Sequence, residues 1–219
     1  MLCYNVCMNE ALIKRNSLLG AKVVEALNKR HFEAYYVENK SEALKKALEL
    51  IPSSHSVSWG GSVTIDEIGL KDELKKRGNI LIDRNTANSP EEREEIMRKA
   101  LLCDTFLMSS NAITEDGELY NIDGHANRVA ALCFGPKYVV IVAGMNKIVK
   151  DMDAAYSKVR NYTAPVNAQR FNLDTPCCKT GACFNCNSIQ SICAQMVETR
   201  FCRPQGRIKV ILVGEELGF

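Results

Sequence analysis

The chain has little net charge to offer a partner. Its 28 Lys and Arg against 26 Asp and Glu leave +2 over 219 residues. That balance creates no field to draw it to nucleic acid or an anionic membrane. Basic runs interleaved with aromatics are also missing, so no nucleic-acid partner is expected. No apolar stretch approaches the roughly eighteen residues needed to cross a bilayer, so no membrane span is expected either. The opening MLCYNVCMNEALIKR lacks the charged leader, long apolar run and small-residue cleavage site of a secreted precursor. A cytoplasmic protein is therefore expected. Neither a phosphate-binding P-loop nor a GxGxxG turn occurs, which removes the usual nicotinamide and flavin fingerprints. Internal repeats and low-complexity linkers are absent too.

What is present fits one globular domain over residues 1–219. Apolar residues make up 46% and charged residues 25% of the chain, and the length suits a single well-buried core. Residues 8–30 carry Leu12, Leu19, Val23, Ala26 and Leu27 at helical spacing. A short strand is predicted at 32–39, then a helix capped by Ser41 and stopped by Pro52. SVSWGGSVTIDEIGL (56–70) reads as strand, glycine turn and helix, with Thr64 and Glu67 at capping-box spacing. NILIDR (79–84) is a strand, and Ser89, Pro90 and Glu92 open the next helix. Strands follow at 104–110, 137–144 and 207–214, with an extended arm at 117–123, a short helix at NRVAALCF and a longer one at 151–161. Strands alternating with helices, several apolar on both faces, imply an α/β fold: an open, mostly parallel, Rossmann-like sheet flanked by helices. A Cys-rich insertion at 172–203 precedes the last strand.

In such sheets ligands gather beyond the carboxyl ends of the strands. WGGSVT (59–64) is a strand-to-helix loop of the right kind. Gly60 and Gly61 let the backbone approach a ligand, and Ser62 and Thr64 add hydroxyl donors to free N–H groups. The same residues also fit a plain tight turn with a capping Thr. A second candidate, SSNAITEDGELYNIDGHANRVA (109–130), gathers Asn111, Glu115, Asp123, His125, Asn127 and Arg128 behind a buried strand. The Arg128 guanidinium offers a fork for a carboxylate or phosphate. Glu115 or Asp123 would be the general base if burial raised its pKa. His125 reads as an ordinary helix-start residue.

Ten cysteines in a reducing compartment point away from disulfides and toward metal or redox chemistry. Five lie in TPCCKTGACFNCNSIQSIC (175–193). Counted from Cys178 the spacing is C-x4-C-x2-C through Cys183 and Cys186, an echo of plant-type ferredoxins; counted from Cys177 it is C-x5-C-x2-C-x6-C, ending at Cys193. Four thiolates suit a 4Fe–4S cluster, with structural zinc as the alternative. Cys202 is a spare thiol, Cys103 and Cys133 look like core residues, and a Cys3/Cys7 pair would need further ligands from elsewhere.

SWGGSVTIDEIGL, AITEDGELYNIDGHANRVA, KYVVIVAGMNKIV and IKVILVGEELGF together resemble the LUD domain of bacterial lactate-utilisation proteins, over about residues 9–219. The resemblance implies a fold of the NagB/RpiA/CoA-transferase-like superfamily, whose loops at 60–64 and 111–128 would bind a small anionic ligand. It places Lys147, in GMNKIV, at a basic position facing the cleft. A subgroup pattern, P-C-x-K-T-G-x-C-x-x-C-x6-C, implies Cys177, Cys183, Cys186 and Cys193 as the metal ligands, with Cys178 as substitute for Cys177. Iron–sulfur partners in lactate-utilisation systems favour the 4Fe–4S cluster. The function implied is a component of a redox system for lactate or a related 2-hydroxy acid, working with other lactate-utilisation subunits. The alternative is a CoA-transferase- or isomerase-like enzyme or sensor in which the metal site is only structural. Nothing in the pattern excludes a homo-oligomer.

Overall fold

Strand β7 (Tyr138–Gly144) shows how this sequence makes its sheet. Val139, Ile141 and Ala143 point to one face and Val140 and Val142 to the other, and all five are fully buried. Successive side chains on a strand alternate between faces, so an unbroken apolar run means that both faces are covered. In the computed structural model, which describes the backbone of residues 2–219 and side chains from Glu10 onward, they are. Helices α1 (Leu2–Lys29) and α6 (Asn127–Cys133) cover the first face with Val23, Leu27, Ala131 and Leu132. Helices α2 (Lys40–Leu50) and α4 (Leu70–Lys76) cover the second with Ala43, Ala47, Leu70 and Leu74. Each large side chain so buried contributes roughly 1.5–3 kcal/mol.

Six parallel strands form the main sheet, in the order β1 (Glu33–Val37), β10 (Ile208–Val213), β7, β4 (Thr105–Met108), β2 (Ser56–Trp59) and β3 (Ile80–Ile82). From β2 the chain moves outward to β3, then returns to β4 and runs the other way through β7 to β10. The crevice between the carboxyl ends of β2 and β4 is therefore a topological switch point. Arg207 locks the last crossing in place: its guanidinium donates to the carbonyls of Ala131, Leu132 and Pro136, satisfying the open end of α6.

A second sheet was not foreseen. The segment expected as a lone arm at 117–123 contains β6 (Leu119–Asp123). It pairs antiparallel with β5 (Ala112–Thr114) on one side and with β9 (Gln195–Thr199) on the other, and β8 (Ile148–Val149) closes the sheet beside β5. Ala112, Tyr120 and Ile122 pack against Ala155 of α7 (Met152–Lys158) and against Val159. These strands hold only two to five residues each, too few to show a period. The Cys-rich stretch lies between the helical region after α7 and β10. It includes the short α9 (Pro176–Thr180) and ends in β9.

Several local readings need correction. The cap of α2 is Asn39, whose side chain accepts from Glu42 N, and not Ser41. Ser62, not Thr64, caps α3 (Val63–Glu67), accepting from Ile65 N, while Glu67 accepts from Gly218 N. Ser89 caps α5 (Pro90–Lys99) as expected, but the Glu92 carboxylate turns to Asn88 N. The helix expected at 151–161 widens into a π-turn over Val159–Thr163 before α8 (Ala164–Gln169). Pro165, which has no N–H to give, sits just past that widening. Cys103 is buried, but Cys133 is exposed. The side chains of Cys3 and Cys7 lie outside the described residues.

Candidate functional site

The switch-point crevice opens into a cavity of about 170 Å³, the space of five or six waters. The loops after β2, β4 and β7 build it, with Ser62, Ser109 and Lys147 among its walls. Four basic side chains line it, Arg84, Arg128, Lys147 and Arg170, against a single carboxylate, Asp123.

Lys147 is the unusual member. It is 4% exposed, and its Nζ donates to Ser109 Oγ at 2.8 Å and Thr64 Oγ1 at 3.1 Å. Among the described residues no carboxylate lies within ion-pair distance of it. Burial, helped by the positive charges of Lys158 and Arg128 and opposed by Glu67, lowers its pKa from 10.5 to about 7.

Arg128 is held differently. Its Nη1 donates to Ser109 O and Asn121 Oδ1, its Nη2 to Asn111 Oδ1 and Ile122 O, and its Nε faces Asp123 Oδ2 at 3.4 Å. All five guanidinium donors are thus spent within the protein. The Asp123 carboxylate is equally engaged, since its other oxygen accepts from His125 N and Ala126 N. That turn holds Ala126 at φ 64°, a left-handed conformation uncommon for alanine. Arg128 and Asp123 therefore clamp the β4–β5 and β6–α6 corners together.

Arg84 has what Arg128 lacks, an uncommitted fork. It follows β3 and lines the cavity, and its only polar side-chain partner among the described residues is Met97 Sδ at 3.7 Å. Burial and nearby Arg93 lower its pKa. The two glycines serve these arginines: a Cβ on Gly60 would stand 3.0 Å from Arg128 Cδ, and one on Gly61 would stand 3.0 Å from Arg84 Nη2. With Asp123 committed to Arg128, Arg84 and Arg170 are left without an ion-pair partner among the described residues at one opening. That is an arrangement for an anion.

Beside this cavity lies a smaller one of about 20 Å³, lined by Cys177, Cys183, Cys186 and Cys193 together with Arg160. Cys178 is not part of its lining. Burial pushes the Cys193 thiol up, Arg160 pulls it down, and nearby Cys183 and Cys177 push it up further. Arg160 is fixed by a 2.6 Å bond to Asn185 Oδ1. The buried Tyr120 hydroxyl has no hydrogen-bond partner among the described residues and feels the charges of Arg160 and Cys193. A thiolate sulfur would be an acceptor for it. Four thiols bordering one small void, with this orphaned donor, are the residue types that a thiolate-bound metal group uses. The void as it stands has room for about one water. Among the described residues no three His, Cys, Asp or Glu side chains are already set at metal-binding geometry. The eight described cysteines are all free thiols, and Cys202 sits in the main core, donating to Pro204 O, away from the four.

The LUD domain family model matches residues 20–213. The chain belongs to the LUD domain family. A solved family relative, a DUF162 family protein from Deinococcus radiodurans, is 12% identical; the match covers 90% of this chain and 98% of that one, with a TM-score of 0.52. Ribose 5-phosphate isomerase A from Methanocaldococcus jannaschii matches at 14% identity over 52% of this chain and 55% of its own, with a TM-score of 0.34. The Plasmodium falciparum ribose 5-phosphate isomerase matches at 15% over 51% and 52%, with a TM-score of 0.32. No curated protein matches the sequence. Among the described residues of this LUD domain no helix is long and apolar enough to cross a membrane.

The LUD scaffold gathers most of the residues singled out from sequence. Gly61, Ser62, Thr64, Asn111, Asn127, Arg128 and Lys147 all line the larger cavity, as does Asp123. Gly60 lies behind that lining, against Arg128. Glu115 is elsewhere: it pairs with Lys22 at 2.5 Å and Lys150 at 3.2 Å, which lower its pKa, whereas a base would need it raised. Sequence reasoning missed Arg84, Arg170, Ser109 and the fully buried Asn121. Arg84 lies two residues past β3, in the turn that Asp83 caps, and a basic residue just beyond the carboxyl end of a strand was the available signal.

Proposed function

We propose that this LUD protein serves a lactate-utilisation system by binding a small carboxylate or phosphate at the switch-point cavity and a thiolate-ligated metal group beside it. The observation that carries the reading is that Ile192 lines both cavities, so the four thiols and the cations of the larger cavity border one common residue. Arg84 and Arg170 supply the charge that holds the anion, and Ser62 and Asn127 supply neutral polar contacts. Cys177, Cys183, Cys186 and Cys193 would hold the metal group. An iron–sulfur cluster there would supply one-electron transfer, in keeping with the oxidation of a 2-hydroxy acid together with other subunits. Zinc would supply only a structural tie. The Cys177 count has the better claim over Cys178 because Cys177 lines the small cavity.

The experiment is metal and sulfide analysis with visible and EPR spectra on protein purified without oxygen, alongside thermal-shift measurements with lactate, pyruvate and inorganic phosphate. About four irons and four sulfides per chain, with stabilisation by at least one anion, is the expected result. Tight stoichiometric zinc with no iron would end the electron-transfer role. No response to any anion would end the cavity's assignment.

A further inference from the structure

The cation at the floor of the larger cavity is not built to hold an anion by charge alone. Its neighbours include two hydroxyls and other cations, but among the described residues no carboxylate within ion-pair reach. An ammonium meant as a fixed positive charge is ordinarily left near solvent or paired, because desolvation disfavours the charged form. Here burial and the neighbouring charges favour the neutral amine, with a free lone pair, in a cavity that already has Arg84 and Arg170 for the anion.

From this geometry we infer that Lys147 is a nucleophile that condenses with a small carbonyl compound bearing an anionic group, forming an imine at Nζ. This rests on the reading of the cavity as an anion site and adds to it the reacting bond. The lone pair of Nζ forms a C–N bond to the carbonyl carbon, and the carbonyl oxygen takes up a proton to give a carbinolamine. The C–O bond then breaks, and the oxygen leaves as water carrying the two hydrogens that began on the amine. No oxidant or reductant enters. Thr64 Oγ1 and Ser109 Oγ, at 3.1 and 2.8 Å from the nitrogen, are the hydroxyls placed to pass those protons. The cavity has room for a chain of a few carbons, with its anionic end toward Arg84 and Gly61. A carboxylate and a phosphate share this recognition chemistry.

The test is reductive trapping on the full chain with sodium borohydride, using pyruvate in one arm and glycolaldehyde phosphate in the other, followed by intact mass and peptide mapping. One reduced adduct per chain is expected on the peptide carrying Lys147, formed at neutral pH at least about tenfold faster than on any surface lysine. The arm that reacts identifies the anionic group. Adduct spread evenly over surface lysines, with Lys147 unmodified in both arms, overturns the proposal, and this is read on wild-type protein without any variant. K147R should abolish the adduct, and S109A should slow it while leaving the lysine in place. Thermal shifts with the same two anions are measured in parallel. Stabilisation without trapping would sink the nucleophile and leave the anion site standing; loss of both would sink the two together.

Discussion

Replacing Lys147 with methionine isolates the energetic consequence of its burial. A lysine that titrates near 7 when folded and near 10.5 when unfolded carries a penalty of about 5 kcal/mol whenever it is charged in both states. Between those two values the unfolded chain binds more protons than the folded one, so stability rises with pH across the window. The penalty is fully present below pH 7 and fades toward 10.5. From pH 6 to pH 9, Lys147 alone should add about 3 kcal/mol to the stability of the wild type. A methionine side chain cannot titrate, so the variant lacks this rise. The substitution also leaves Thr64 and Ser109 without the Nζ partner, at about 1 kcal/mol each and with no pH dependence. K147M should therefore be more stable than wild type by about 2 to 3 kcal/mol at pH 6 and near parity at pH 9. Urea unfolding of both proteins at one-unit intervals measures the difference, in which titrating groups that do not act on Nζ cancel, while Lys158, Arg128 and Glu67, which do act on it, lose that partner in the variant. Parallel curves for the two proteins would refute the reasoning, because they would mean that the lysine is equally easy to charge in both states.

Other substitutions separate clamp from ligand site. R84M should abolish stabilisation by phosphate or carboxylate in a thermal-shift assay while changing the unliganded stability by less than about 0.5 kcal/mol, since that side chain's polar partner is a thioether. R128K should instead lose roughly 3 kcal/mol in urea unfolding, because three ammonium donors cannot replace a five-donor fork bonded at fixed angles. E115Q should leave anion binding unchanged, as its carboxylate faces Lys22 and Lys150 outside the cavity. C186S should lose bound metal on elemental analysis, whereas C178S should keep it.

The parallel sheet was legible because burial on two faces writes itself into sequence as runs such as YVVIVAG, and because Gly60–Gly61 and Pro90 mark where strands give way to helices. Loops at strand tips were legible for the same reason: once the strands are placed, topology brings 61–64, 109–111 and 147 together. The second sheet was not legible, since β8 has two residues and β9 is an edge of largely exposed side chains. The role of Arg128 was half legible. Sequence can name a guanidinium near a cleft, but only coordinates count its donors and find them all spent. Arg84 escaped for the opposite reason: it stands in a segment that otherwise reads as plain strand, and its value lies in the partners it does not have.

Glu115 and Asp123 looked alike in sequence, two carboxylates in one polar stretch, and the hairpin between β5 and β6 separates them. Glu115, just past β5, turns to Lys22 of α1 and to Lys150, while Asp123 returns at the far end of β6 to the strand tips. That same return carries Gly124 under the cysteine loop, where a Cβ would stand 3.1 Å from Ile192 Cα. Cys193 follows Ile192 directly and packs against the small sheet formed by β5, β6, β8 and β9. The two cavities therefore meet at Ile192, whose backbone lies against Gly124 of the Asp123 turn and runs directly into Cys193. Under the proposed reading, an ion held by the four sulfurs would border the same residue that lines the larger cavity. Through the pairing of β6 with β9, the small sheet ties the end of the cysteine segment to the strand that carries Asp123.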